Sequence, residues 1–393
     1  MPRFEPFRAL RYAPGTDLER VLAPPYDVLS DADVDELADR DPHNIVHVDV
    51  PRGGDDRYER AAATLRGWIG AGVLVEDDAP TFTLYRMRFT DAAGTPRALV
   101  GVLGGLELVD EGAGGVLPHE RTTPKASTDR LDLTRATRTN LSPVWGLSLA
   151  EGLTELLTEP GERLGAVVVD GVEHAVERVG DVSRVEAIRA RVASDDVLIA
   201  DGHHRYAVSR TYRDEVRGAT GRGDTPAEQT LAFVGELTPE QLSIEAIHRV
   251  YAGVTLEDLR VAIDRRFERA PAPAPSPATL VEMVDRGVLV LVRPDGGAEW
   301  LTPRRGAFQG VRSLDGAWLE VTFEGIAAEV TYQHGLSEVG ERLTTGDATA
   351  GILIRPVSMA EIERTARERV LMPPKSTFFT PKLRTGFALR PLD

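Results

Sequence analysis

The order of apolar and polar positions divides the chain into stretches of different period. Up to Ala23-Pro24-Pro25-Tyr26-Asp27 the pattern is extended and proline-rich. Ser30 or Asp31 then starts a short helix, because either side chain can cap a first turn and Val34, Leu37 and Ala38 supply an apolar stripe. A second helix spans roughly 55–70, with Tyr58, Ala62, Leu65 and Ile69 at helical spacing. The period falls to two where Phe82, Leu84, Arg86 and Arg88 alternate with Thr83, Tyr85, Met87 and Phe89. Asp91–Gly94 reads as a hairpin turn into a strand around 98–109. Strands near 144–149, 165–170 and 174–178 and a helix near 182–193 follow. Val197–Ala200 is a compact buried strand that runs into Asp201-Gly202-His203-His204-Arg205 and then an amphipathic helix to about 217. Strands near 230–237 and 242–250 and a helix near 256–266 come next.

Two stretches interrupt this. Residues 112–142 hold glycines and then His119-Glu120-Arg121-Thr122-Thr123-Pro124-Lys125, with little apolar material. The Ala-Pro alternation over 270–277 favours an extended, semi-rigid chain and reads as a linker. It predicts an α+β domain over 1–269 and a C-terminal α+β region over 280–393 that closes over the site, a loop excursion within one larger unit being the alternative. Gly351–Ile354 reads as a buried strand of that region. The class is α+β with a mixed sheet.

Composition narrows the function. Among 393 residues, 42% are hydrophobic and 27% charged, an ordinary globular balance. Sixty-two acidic against 46 basic side chains leave a net charge of −16, which opposes nucleic-acid binding without a strong local basic patch. The absence of cysteine removes disulfides, thiolate metal sites and thiol nucleophiles. No signal-peptide run and no stretch of eighteen apolar residues is found, so a cytoplasmic protein with no membrane or nucleic-acid partner is expected.

The strongest chemical signal is Asp201–Tyr206 at the end of a short strand. Gly202 permits a tight turn and close approach of a ligand, and the helix that follows presents N–H groups and a positive dipole end. Arg205 offers a planar fork of donors, His203 and His204 can donate to phosphate oxygens, and Asp201 can hold a cation or a substrate hydroxyl. The competing reading is a capped helix start with surface histidines. In the second cluster Glu120 is a candidate general base, with Arg121 and Lys125 as candidate phosphate contacts; a solvated loop is the alternative. In the third, Lys375, Ser376 and Thr377 together with Phe378, Phe379 and Lys382 can close over a nucleotide, or the Phe pair can anchor the tail to the core. Pro24–Asp27 either lines the site or forms a rigid turn with Tyr26 packed, the latter being favoured.

Other signals are weak. His43 and His47 lack the glutamate of a zinc-hydrolase helix. Gly101–Gly105 lacks dinucleotide spacing, and Trp68, Trp145, Trp300 and Trp318 read as core.

The Asp201–Tyr206 stretch resembles the signature of the ParB/sulfiredoxin-like superfamily, in which a Gly-x-x-Arg turn binds nucleotide phosphates. Sulfiredoxins carry a catalytic cysteine where this chain has His203, which excludes sulfinic-acid reduction, and the DNA reader of partition proteins has no counterpart here. Asp201-Gly202-His203-His204-Arg205 is most similar to the Asp-Gly-His-x-Arg turn of free-serine kinases. That resemblance implies phosphate contacts for His203, His204 and Arg205, with Asp201 near the reacting hydroxyl. Over nearly the whole chain, Pro6–Tyr12, Ala23–Val28, His119–Lys125, Ala200–Tyr206 and Pro374–Lys382 resemble the family of unknown function numbered one thousand and fifteen.

These readings converge on a phosphotransferase of the kinase type, moving a phosphoryl group between ATP or ADP and a small alcohol, with L-serine/O-phosphoserine favoured and Mg²⁺ bridging phosphate oxygens. A homodimer is compatible with it. The rivals are a ParB-like nucleotide-binding regulator without an acceptor and a phosphoserine phosphatase.

Overall fold

The computed structural model describes residues 1–91, 94–118, 127–346 and 348–393. The chain separates into two compact units: Met1–Leu242 together with Pro381–Asp393, and Ser243–Thr380. Both are mixtures of helix and strand, as the sequence predicts.

The first unit is built on a nine-stranded sheet among the described residues. Its strands are β1 (Phe4–Glu5), β2 (Phe82–Thr90), β3 (Pro96–Glu107), β4 (Val116–Pro118), β5 (Val144–Ser148), β6 (Glu162–Val169), β7 (Val172–Val179), β8 (Val197–Asp201) and β9 (Gln229–Glu236). They lie in the order β4-β8-β5-β9-β3-β2-β7-β6, with β1 beside the end of β3. The β4·β8 and β5·β9 pairs are parallel and the others antiparallel, so the sheet is mixed.

One face buries Phe4, Phe82, Leu84, Val102 and Leu106 with Leu153, Leu157, Ile188 and Val192. The alternation at 82–89 predicts a half-buried strand, yet Thr83, Tyr85 and Met87 are buried too. The second face is covered by distant chain: Phe387 packs on Tyr85 with ring centroids 5.1 Å apart, and Phe233 meets Tyr85 at 5.8 Å. Gly101 and Gly104 make room for these rings, since a Cβ at either would lie within 2.5 Å of Phe233 or Phe4. Their spacing serves packing rather than a dinucleotide.

The helices that position the site are α1 (Asp31–Arg40), α2 (Arg57–Gly70), α3 (Ser127–Thr137), α4 (Val182–Val192) and α5 (His203–Thr220). Ser30 caps α1 through a reciprocal capping box with Asp33. On α2 the buried face is Ala61, Ala62, Leu65 and Trp68; Ile69, expected inside, is 41% exposed.

The second unit holds a six-stranded antiparallel sheet among the described residues: β10 (Ile247–Ala252), β11 (Phe267–Ala272), β12 (Leu289–Val292), β13 (Ala298–Pro303), β14 (Glu329–His334) and β15 (Ala350–Leu353), ordered β11-β13-β12-β15-β10-β14. The Ala-Pro run is not a linker. Ala270–Ala272 completes β11, an edge strand paired with β13, where proline costs no ladder bond on the open side. Ser276 then caps the helix Pro277–Arg286, with Pro277 in its first turn. The boundaries fall instead at 242/243 and 380/381, so the C-terminal 13 residues return to the first unit.

Candidate functional site

Strand β8 carries a β-bulge at its end: Ile199 faces Gly146 and Asp201 faces Trp145, so the bulged strand advances two residues against one. A bulge kinks a strand and re-aims its last side chain. Gly202 follows in the left-handed region, φ 83°, and serves as the N-cap of α5. An added Cβ there would sit 3.0 Å from the Arg205 guanidinium and 3.3 Å from Val144 Cα, so the turn needs glycine for its dihedrals and for its space.

Arg205, in the first turn of α5, is 8% exposed. It donates Nη2–H to Asp201 Oδ2 at 2.7 Å and to Asp27 Oδ2 at 3.4 Å, and Nη1–H to the Pro143 carbonyl. Arg205 is a buried fork that ties three pieces of chain together: the strand end, the turn Tyr26–Val28 and the approach to β5. Although burial disfavours its charge, Asp27 and Asp201 hold the guanidinium firmly protonated.

Asp201 has a second cation. Lys382, from the returning C-terminal segment, places Nζ 3.0 Å from Asp201 Oδ1. Burial alone would raise this carboxyl; Lys382 and Arg205 outweigh it and hold it well below the ordinary range. A carboxylate held below its ordinary range is a weaker proton acceptor. The segment bearing Lys382 is fixed by backbone pairing of Thr385 with Ala23, Leu389 with Leu10 and Arg390 with Asn140.

On the other side of Arg205 lies a cavity of about 40 Å³, lined among others by Tyr26, Asp49, Arg130, Ser142 and Ser209. Arg130 stacks its guanidinium 4.1 Å from the Tyr26 ring centroid and reaches the Asp49 carboxylate at 3.3 Å. Tyr26 is packed in a tight turn, as favoured, and also lines this cavity. Burial pushes its hydroxyl up to about 12.

The structure brings Asp201, Gly202, His203, His204 and Arg205 together at the start of α5, with His203 buried and His204 partly exposed. Glu120, Arg121 and Lys125, with His119, lie outside the described residues. Lys375, Ser376 and Thr377 belong to the second unit. There Ser376 Oγ–H donates to the Pro373 carbonyl at 2.7 Å, Phe378 stacks on His334 at 4.4 Å, and Phe378–Thr380 pairs with Ser243–Glu245. The phenylalanine pair is built into that unit's own structure. Asp27, Asp49, Arg130 and Ser142 were not singled out individually by sequence reasoning; they are scattered over more than a hundred positions, and the residue types alone carry no signal.

Among the described residues no group of three or more His, Asp or Glu side chains is placed to hold a metal ion. His43 Nδ1 is 3.5 Å from Asp41, and His47 Nε2 is 3.2 Å from the Asp41 carbonyl. Among the same residues no helix is long and apolar enough to cross a membrane.

The charged turn closes a bulged strand of a mixed sheet, and the fold is of the α+β class. Residues 4–317 match the family model described as "Protein of unknown function (DUF1015)", and the chain belongs to that family. No curated protein matches the chain. Distant likenesses exist to solved structures. A conserved hypothetical protein from Pyrococcus furiosus is 11% identical with a TM-score of 0.38, over 70% of this chain and 92% of that one. A free serine kinase in complex with AMP is 13% identical with a TM-score of 0.38, over 70% and 89%. SbnI with a C-terminal truncation, from Staphylococcus aureus, is 14% identical with a TM-score of 0.41, over 74% and 87%. At such identities the functional reading has to come from the site's own residues.

Proposed function

We propose that this protein is a nucleotide-dependent phosphotransferase that binds phosphate at the start of α5 and exchanges a phosphoryl group with a small hydroxylated metabolite, L-serine/O-phosphoserine being the favoured pair. The observation that carries this reading is the Lys382 ammonium, held by Asp201 at the left-handed Gly202 turn that opens an 18-residue helix. A cation and a helix N-terminus at one turn both favour an anion. His203 and His204 add donors from the same turn, while Arg205 sets the geometry through Asp201 and Asp27. Asp27, with 37% of its side chain exposed, is the described carboxylate able to take Mg²⁺ brought in with ATP or ADP, and such an ion offsets charge on phosphate oxygens. Glu120, Arg121 and Lys125 keep their proposed roles as base and phosphate contacts.

The test is phosphorus NMR of the protein with Mg²⁺, ATP or ADP and L-serine, then with O-phosphoserine and ADP or AMP. A new phosphomonoester that requires both partners and is lost in Lys382→Met is the expected result. Unchanged spectra with nucleotide bound by calorimetry would replace this reading with the regulatory one.

A further inference from the structure

Phosphoryl transfer to an alcohol needs a group that takes the hydroxyl proton, and the site holds carboxylates in contrasting surroundings. Asp201 meets Lys382 and Arg205 at 3.0 and 2.7 Å. Asp49, at the end of the short helix Val46–Asp49, is 2% exposed and, among the described residues, has only long side-chain contacts: Arg130 Nη1 at 3.3 Å from Oδ1 and Ser142 Oγ at 3.3 Å from Oδ2. The closest bond of Arg130 goes to the Asp49 backbone carbonyl, at 2.6 Å, and its guanidinium is also stacked on Tyr26. Ser142 Oγ is shared with Thr385 Oγ1 at 2.9 Å. The Asp49 carboxylate is therefore under-satisfied, and it lines the polar cavity of about 40 Å³ that Arg205 also lines. A buried carboxylate with spare acceptor sites beside a polar cavity calls for a donor inside it.

We infer that Asp49 is the proton acceptor of the proposed reaction, and that its substrate is a small acceptor whose hydroxymethyl group enters the cavity between Asp49 and Arg205. This inference rests on the phosphotransferase reading and moves the role of base from Glu120 to Asp49. The cavity has room for about three waters at 10–15 Å³ each, which suits a hydroxymethyl arm. In the step, the acceptor O–H gives its proton to an Asp49 oxygen while its oxygen bonds to the terminal phosphorus of a nucleoside di- or triphosphate. The bond from that phosphorus to its bridging oxygen breaks, and the electron pair leaves with the nucleotide, shorter by one phosphate.

The electrostatics agree with this geometry. Burial raises the Asp49 carboxyl above its ordinary value against the opposing pull of Arg130, Arg205 and Ser142, and Asp27 adds to the rise. Two carboxylates near one another, one pushed up and the other down, is the pattern of a divided acid–base assignment.

Asp49→Asn is compared with wild type and Glu120→Gln for nucleotide affinity by calorimetry and for turnover across pH. The inference expects Asp49→Asn to bind nucleotide within about twofold of wild type while turnover falls by about 10²-fold or more and its acidic limb disappears. Ser142→Ala, which removes a donor that favours the ionised form, should move the acidic limb to higher pH. Turnover of Asp49→Asn within threefold of wild type, or loss of turnover confined to Glu120→Gln, overturns the inference and leaves the phosphotransferase reading standing. If Asp49→Asn does not fold, Ser142→Ala decides, and an unmoved limb overturns the inference. No transfer by the wild-type protein overturns both.

Discussion

Lys382 Nζ lies 3.0 Å from Asp201 Oδ1, joining residues 181 positions apart and closing the C-terminal segment onto the turn that opens α5. This contact makes Asp201 a source of pH-dependent stability. A carboxyl lowered in the fold contributes stability that is present above its unfolded value, near 3.8, and is lost as pH falls through the folded value. Removing one of the two cations in Lys382→Met should therefore lower the urea midpoint at pH 7. The gap from wild type should narrow as the pH is taken below 3. A constant gap from pH 7 to pH 2.5 would show that Lys382 acts through packing alone.

Arg205→Ala should unfold the protein more readily, not merely weaken a ligand. The substitution leaves Asp201 without its 2.7 Å partner and the Pro143 carbonyl without a donor. Stranding buried partners of this kind costs about 3–5 kcal/mol, whereas an open phosphate clamp on the surface would cost within about 0.5 kcal/mol. Equilibrium urea unfolding separates the two, and an unchanged midpoint would show that Arg205 is not the tie described here.

Gly202→Ala should cost about 1–2 kcal/mol from the left-handed backbone alone. The crowding of its Cβ against the Arg205 guanidinium and Val144 Cα adds to this, and the Val144 backbone cannot swing away as a side-chain tip can. The expected outcome is a lowered Tm together with weakened nucleotide binding, because the same turn sets Arg205 and the first N–H groups of α5. A variant with wild-type Tm and affinity would mean that the turn relaxes freely.

Much of the first unit was legible in its residues because its signals are local. The period-two run at 82–89, the cap at Ser30 and the apolar strand before Asp201 each specify their element without help. The Ala-Pro run misled because proline forbids a central strand but not an edge strand, and only the register of β11 against β13 shows which it is. The turn Asp201–Arg205 stood out as four functional side chains in five residues, and Asp27 and Lys382 lay in stretches also singled out, yet that these residues meet the turn was not visible. Asp27, Asp49, Arg130, Ser142 and Lys382 meet it through pairings between distant segments, such as Thr385 with Ala23, and those depend on the finished sheet. Arg205 shows the limit most clearly: its residue type announces an anion, and only the fold shows that the nearest anions are Asp27 and Asp201.

The attachment of the C-terminal segment should also fail at mildly acid pH. The backbone N–H of Arg384 donates to the Tyr85 hydroxyl at 3.0 Å, and that hydroxyl lies 2.8 Å from His174 Nδ1. In the tautomer whose Nδ1 accepts the hydroxyl proton the imidazole is neutral. Burial, helped by Arg384, lowers His174 from 6.5 to about 4. The unfolded chain takes up its proton near 6.5 and the folded chain only near 4, so this stability is complete above about 6.5 and is lost as the pH falls toward 4. A shift of this size is worth about 3 kcal/mol at most. Unfolding midpoints should therefore drop between pH 7 and 4.5, and less steeply in His174→Gln, which cannot be protonated. Since Arg384 is two residues from Lys382, amide exchange over 381–389 should rise in the same interval, and exchange that stays flat there would uncouple His174 from the site.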